Sequence, residues 1–114
     1  MPKEKKVKIS MDKIKIIGNK KLLGSIKVPG AKNSALPIMV ASLLSKDGLY
    51  INNLPDLEDI KTMKLLLKSF GLKIKKQNSY IFIDSNNIKN AIADYDLVRK
   101  MRASILVLGP LIAR

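Results

Sequence analysis

Apolar residues separated by lysines at Ile14, Ile16 and Ile17 predict a first β-strand, closed by Gly18-Asn19. A second predicted strand, Leu23-Gly24-Ser25-Ile26-Lys27-Val28, alternates apolar and polar positions and ends at Pro29-Gly30. From Ser34 to Leu44 the run SALPIMVASLL is apolar on nearly every side, as expected of a helix buried on most of its faces. Pro37 fits such a helix only in its opening part, which makes Asn33 or Ser34 the expected N-cap. Asp47-Gly48 then leads into a short strand, Leu49-Tyr50-Ile51.

The next helix has the clearest borders. Pro55 precedes Asp56 as the expected cap, Asp59 stands three residues on as an acidic capping-box partner, and Gly71 is the stop. Leu57, Ile60, Met63, Leu67 and Phe70 mark an apolar face, with Lys61, Lys64 and Lys68 opposite. A hairpin follows: Leu72-Lys73-Ile74, a turn around Asn78-Ser79, then Tyr80-Ile81-Phe82-Ile83. Residues 85–95 read as loop. A last helix is expected from Asp94 or Asp96 towards Gly109-Pro110, where it should break or kink, with Leu97, Met101, Ile105 and Leu108 on its core side. This order describes an α/β or α+β unit whose helices cover a mixed sheet. The closing apolar run SILVLGPLIA still needs something to pack on, so the front piece of a larger protein is expected, preceded by a mobile basic extension over residues 1–11. Met11 is an alternative start.

Composition narrows the chemistry. The 114 residues suffice for one domain with its own core, and a hydrophobic fraction of 46% excludes a disordered tail. Cys, His and Trp are absent, so this chain has no imidazole, no thiol nucleophile and no usual zinc ligand. Lys+Arg 22 against Asp+Glu 9 gives +13, which points to anion binding rather than to complete catalytic machinery. Two sources account for such an excess: an AT-rich genome, which over-uses Lys, Ile and Asn, or a footprint for nucleic acid or an anionic substrate. The longest apolar stretch, Ala103 to Ala113, is broken by Ser104, Gly109 and Pro110 and falls short of the roughly 20 residues a membrane span needs. Charges interrupt MDKIKII, leaving no signal-peptide core, and a cytosolic protein is expected.

Two segments are candidates for binding. In Pro29-Gly30-Ala31-Lys32-Asn33-Ser34 a turn leaves a strand and opens a helix, aiming backbone N–H groups and the Lys32 charge at one place. A phosphate or carboxylate suits it, but an ordinary turn with a surface lysine has the same sequence, and neither a P-loop nor a dinucleotide fingerprint is present. In Lys100-Met101-Arg102-Ala103-Ser104, Arg99 and Arg102 would be neighbours on one helix face, suited either to an anion or simply to solvent. Asp56, Glu58 and Asp59 are explained by the helix start, and Asp94 and Asp96 are cap residues, with Asp96 placed to orient one arginine.

The segments GAKNSALPIMVASLL (30–44), LPDLEDIKTMKLLLKSFG (54–71) and YDLVRKMRASILVLGPLIAR (95–114) resemble, in order and spacing, the amino-terminal part of the UDP-N-acetylglucosamine 1-carboxyvinyltransferases, within the enolpyruvyl transferase family. The resemblance covers roughly residues 12–114 and implies that they are the amino-terminal part of an enolpyruvyl transferase domain, incomplete at its C-terminal end. It implies a partial inside-out α/β barrel, with the first strands packed on a far lobe and Lys32 near the hinge. It further implies that Lys32 and Asn33 contact phosphoenolpyruvate, Asn33 lies near the sugar nucleotide, and Arg102 contacts UDP-N-acetylglucosamine. The implied reaction transfers the enolpyruvyl group to the sugar's 3-hydroxyl by addition and elimination, opening peptidoglycan precursor synthesis for the cell wall. The family's general acid, usually a cysteine, falls beyond Arg114, so the chain alone is expected to be inactive. Neither metal nor organic cofactor is implied, and the partners expected are these two small molecules and the remainder of the chain.

Two rivals remain at this stage. The shikimate-pathway enolpyruvyl transferase carries Lys-Ser where this chain has Lys32-Asn33. A small basic RNA-binding protein would explain the charge, but Tyr 3 and Phe 2 provide few stacking platforms and no RRM or KH signature occurs.

Overall fold

The structure, a computed structural model, describes residues 12–113. The extension and alternative start expected in residues 1–11 lie outside them, as does Arg114. Among the described residues the regular elements are α1 (Lys32–Ala41), β1 (Leu49–Asn52), α2 (Glu58–Ser69), β2 (Lys73–Gln77), β3 (Tyr80–Asp84), α3 (Tyr95–Val98) and α4 (Leu108–Ala113). Short 3-10 turns cover Ser42–Leu44 and Arg102–Val107.

β2 and β3 form the expected hairpin. Asn78 takes the left-handed conformation, φ 48°, that lets a two-residue turn reverse the chain, and Gln77 pairs with Tyr80 across it. β1 adds antiparallel to the other side of β3, giving the order β1-β3-β2. The sheet is therefore wholly antiparallel rather than mixed. Leu49, Ile51, Ile74, Ile81 and Ile83 share its core face, and Ile51, Ile81 and Ile83 are buried. The outer face carries Tyr50 against Phe82 and Tyr80, with ring centroids 4.5 and 5.5 Å apart.

α2 buries Ile60, Met63, Leu66 and Leu67, the helical spacing of one face, while Lys61 and Lys68 stay in water. Gly71 ends it at φ 99°: its N–H donates to the Lys68 carbonyl at 2.9 Å and the Leu72 N–H to the Leu67 carbonyl at 3.3 Å. That is a Schellman stop, which requires a residue free of Cβ strain. The start differs from expectation. Leu57 rather than Asp56 is the N-cap, without a side-chain hydrogen bond, and Leu57 is 43% exposed.

α1 packs Ala35, Leu36, Met39 and Val40 against α2, while Ile38 remains half-exposed, so one side is buried and not most of them. It begins at Lys32, earlier than an Asn33 or Ser34 cap allows; Ala31 is the N-cap. Pro37 consequently falls in the second turn, where it has no N–H to give the Asn33 carbonyl.

Three further expectations are corrected. Neither Ile14–Ile17 nor Leu23–Val28 is a strand; both lack regular structure and leave their apolar side chains exposed, because no strand among the described residues offers them a ladder. The last helix is not continuous. Asp94 caps α3, its Oδ1 accepting from the Asp96 N–H at 2.8 Å, but the chain straightens at Met101 and resumes as a 3-10 turn and then α4. Gly109-Pro110 does not break it: Pro110 sits in the first turn of α4, where its missing N–H is tolerated. Met101 is buried and Leu97 partly so, whereas Ile105 and Leu108 are exposed.

Candidate functional site: a cationic cleft between the starts of two helices

The backbone ahead of α1 is tightly held. Asn53, just past β1, is in the left-handed region at φ 57°, and its Nδ2 donates to the Val28 carbonyl at 3.3 Å. A Cβ at Gly30 would overlap the Asn53 carbonyl oxygen and touch the Pro55 ring, so glycine alone allows this approach. Two residues on, α1 starts. Its first intrahelical bond runs from the Ala35 N–H to the Ala31 carbonyl at 2.9 Å, so the N–H groups of Lys32, Asn33 and Ser34 lie ahead of the ladder. The Ser34 hydroxyl turns back to donate to the Ala31 carbonyl at 3.0 Å.

The second half of the site comes from the break after α3. Met101, a single residue between a turn and the 3-10 segment, is extended, φ −148° and ψ 121°, and buried, while the flanking Lys100 and Arg102 are exposed. Lys32, Asn33 and Leu36 of α1, Asp59 of α2, and Lys100, Met101, Arg102 and Ala103 together line a cleft of about 300 Å³. Three cations against one carboxylate give it a formal charge of +2. The carboxylate is engaged: Lys32 Nζ lies 3.0 Å from Asp59 Oδ2.

Other cavities are at least as large but lack this chemistry. One of about 390 Å³ is bordered by Asn86, Ile88, Ala91 and Leu111, none of them charged. Another of about 310 Å³ is mostly apolar and shares Arg102 with the cationic cleft.

Lys32, Asn33 and Arg102, from the two candidate segments, line the same cleft. Arg99 is not there. It pairs with Asp96 at 3.3 Å and stacks over the Tyr95 ring at 5.9 Å, so the two arginines do not share a face, while Asp96 does orient one of them. Sequence reasoning missed Asp59, whose position three residues after Asp56 made it look like a cap partner. No local signal marks it, because its partner lies on another helix.

The fold has a solved counterpart. The enolpyruvyl transferase NikO from Streptomyces tendae superposes with a TM-score of 0.71 at 21% identity, covering 85% of this chain and 23% of that one. The chain belongs to the EPSP synthase (3-phosphoshikimate 1-carboxyvinyltransferase) family, whose sequence profile matches residues 16–114. Among curated relatives, the UDP-N-acetylglucosamine 1-carboxyvinyltransferases of Campylobacter jejuni, Campylobacter fetus and Desulforapulum autotrophicum are 48%, 50% and 47% identical over 104 residues. Each comparison covers 91% of this chain, which spans 25% of the length of those relatives. No helix among the described residues is long and apolar enough to cross a membrane.

Proposed function

We propose that this chain contributes to an enzyme that moves the enolpyruvyl group of phosphoenolpyruvate onto the 3-hydroxyl of UDP-N-acetylglucosamine, the opening step of peptidoglycan precursor synthesis. Lys32 and Asn33 hold phosphoenolpyruvate and Arg102 holds the sugar nucleotide. The observation that carries this reading is the convergence of Lys32, Asn33 and Arg102, from segments far apart in sequence, on one cleft of net positive charge. Relatives nearly half identical to the chain bear the name of that activity. In the proposed reaction the sugar hydroxyl gives up its proton and attacks C2 of phosphoenolpyruvate while C3 takes up a proton. The tetrahedral adduct then loses a C3 proton and phosphate together, which restores the double bond. Cations aimed at the phosphate and carboxylate stabilise charge as it builds and departs.

The family description favours one rival acceptor, shikimate 3-phosphate. A chimera decides between them. Residues 12–113 replace the matching segment of the Campylobacter jejuni relative, and phosphate release from phosphoenolpyruvate is measured with each acceptor. Release that requires UDP-N-acetylglucosamine is the expected result; release only with shikimate 3-phosphate would reverse the assignment.

A further inference from the structure

We propose that Asp59 is the positioning residue for Lys32, holding its ammonium against the wall of the cleft before any anion arrives. The proposal deepens the functional reading above and rests on it.

Asp59 is the only carboxylate lining the cleft among the described residues, and it sits 3.0 Å from Lys32 Nζ. It occupies the first turn of α2, where the helix start favours a negative charge, yet α2 is capped by Leu57 without any side-chain hydrogen bond. Its neighbours behave differently. Asp56 and Glu58 turn to Lys61 at 3.6 and 3.9 Å and are almost fully exposed. Half-exposed ion pairs contribute little to stability, so the fold alone gives little reason for the pair.

Position gives a better one. The stretch from Asn53 to Asp59 grips the chain twice, with the Asn53 carbonyl against Gly30 and the Asp59 carboxylate on Lys32. A lysine side chain is long and flexible, and fixing it beforehand removes an ordering cost from the reacting complex. The same carboxylate opposes ground-state anion binding, since without it the cleft would carry +3 instead of +2. Losing Asp59 must therefore move the two kinetic constants in a way that loss of folded enzyme does not.

In the chimera, Asp59→Asn is expected to lower kcat roughly tenfold and to lower KM for phosphoenolpyruvate roughly threefold. Asp59→Glu keeps the charge and should leave that KM within about twofold while recovering most of kcat. In a Lys32→Ala background, Asp59→Asn should change kcat by no more than about twofold, because its effect on kcat runs through Lys32. A merely structural role would lower kcat with KM unmoved and persist after Lys32→Ala. Should Asp59→Asn reduce the folded fraction in thermal unfolding, the Glu variant carries the test alone, on its unchanged KM and near-complete kcat. Overturning results are a KM that rises, both constants staying within twofold for Asp59→Asn, or an undiminished penalty in the Lys32→Ala background. A folded wild-type chimera with no phosphate release overturns the functional reading and this role together, whereas an active chimera indifferent to Asp59 overturns this role alone.

Discussion

Lys32 combines a mobile charge with a fixed base: its backbone opens α1, and its ammonium is met by Asp59. On the proposed function, phosphoenolpyruvate brings a phosphate and a carboxylate to this cation. Removing one partner of a desolvated charge pair typically costs about 2–5 kcal/mol. Lys32→Ala in the chimera should therefore lower kcat/KM roughly 30- to 5,000-fold, at about 1.4 kcal/mol per decade. Lys32→Arg should not restore it, because a planar fork replaces a compact point charge beside Asp59. Lys27→Ala is the matched control, its side chain lying in the exposed segment before the turn. Activity within threefold of wild type for Lys32→Ala, with a loss for Lys27→Ala, would remove Lys32 from the site.

Among the elements, two glycines separate placement of the cleft from stability. A methyl at Gly30 would push against the Asn53 carbonyl and shift the start of α1, and Lys32 and Asn33 with it. A methyl at Gly71 would strain φ 99° and come within 2.8 Å of the Asn87 carbonyl oxygen, at the opposite end of α2 from Asp59. Overpacking of this kind costs typically about 1–3 kcal/mol, so both variants should lower the thermal midpoint of the chimera. Only Gly30→Ala should also reduce kcat/KM, by at least about tenfold, given how steeply rate depends on placement; equal kinetic losses in the two would contradict the clamp. The same elements show what was legible beforehand. α2 with its Gly71 stop, the hairpin turn at Asn78-Ser79 and the Asp94 cap are set by neighbours in sequence, and each was readable there. Strands at Ile14–Ile17 and Leu23–Val28 depend on a partner ladder, and the break at Met101 depends on a core pocket, which no window of sequence displays. Lys32, Asn33 and Arg102 were legible as candidates; their juxtaposition, and the part taken by Asp59, belong to tertiary structure.

Taken whole, the molecule leaves much apolar surface in water. Ile14, Leu22 and Ile26 are 90%, 91% and 92% exposed, and Ile105, Leu108 and Ile112 add more around the final turns. Contiguous exposed apolar surface marks a place where something else packs. The 114-residue chain by itself should accordingly bind a hydrophobic dye such as ANS and unfold without a sharp transition. A cooperative melt with no dye binding would contradict that expectation. Its cleft is also wet, with Lys32 45% exposed at its side chain and Arg102 in solvent, so its cations are screened where chemistry requires dryness. Phosphate release from phosphoenolpyruvate and UDP-N-acetylglucosamine by the isolated chain should stay at background, and turnover above that level would show that a single open wall is enough.

Pro37 gives α1 a built-in compliance. With no N–H at that position, one rung is missing between the turn that bears Lys32 and Asn33 and the turns that bear Met39 and Val40. With one rung fewer, the exposed first residues of the helix are expected to yield to an arriving anion more readily than the turns behind Pro37. Hydrogen exchange on the chimera, with and without phosphoenolpyruvate, should show protection rising at Asn33 to Leu36 and unchanged at Met39 to Ala41. A uniform response along α1 would mean that the missing rung transmits as well as an intact one.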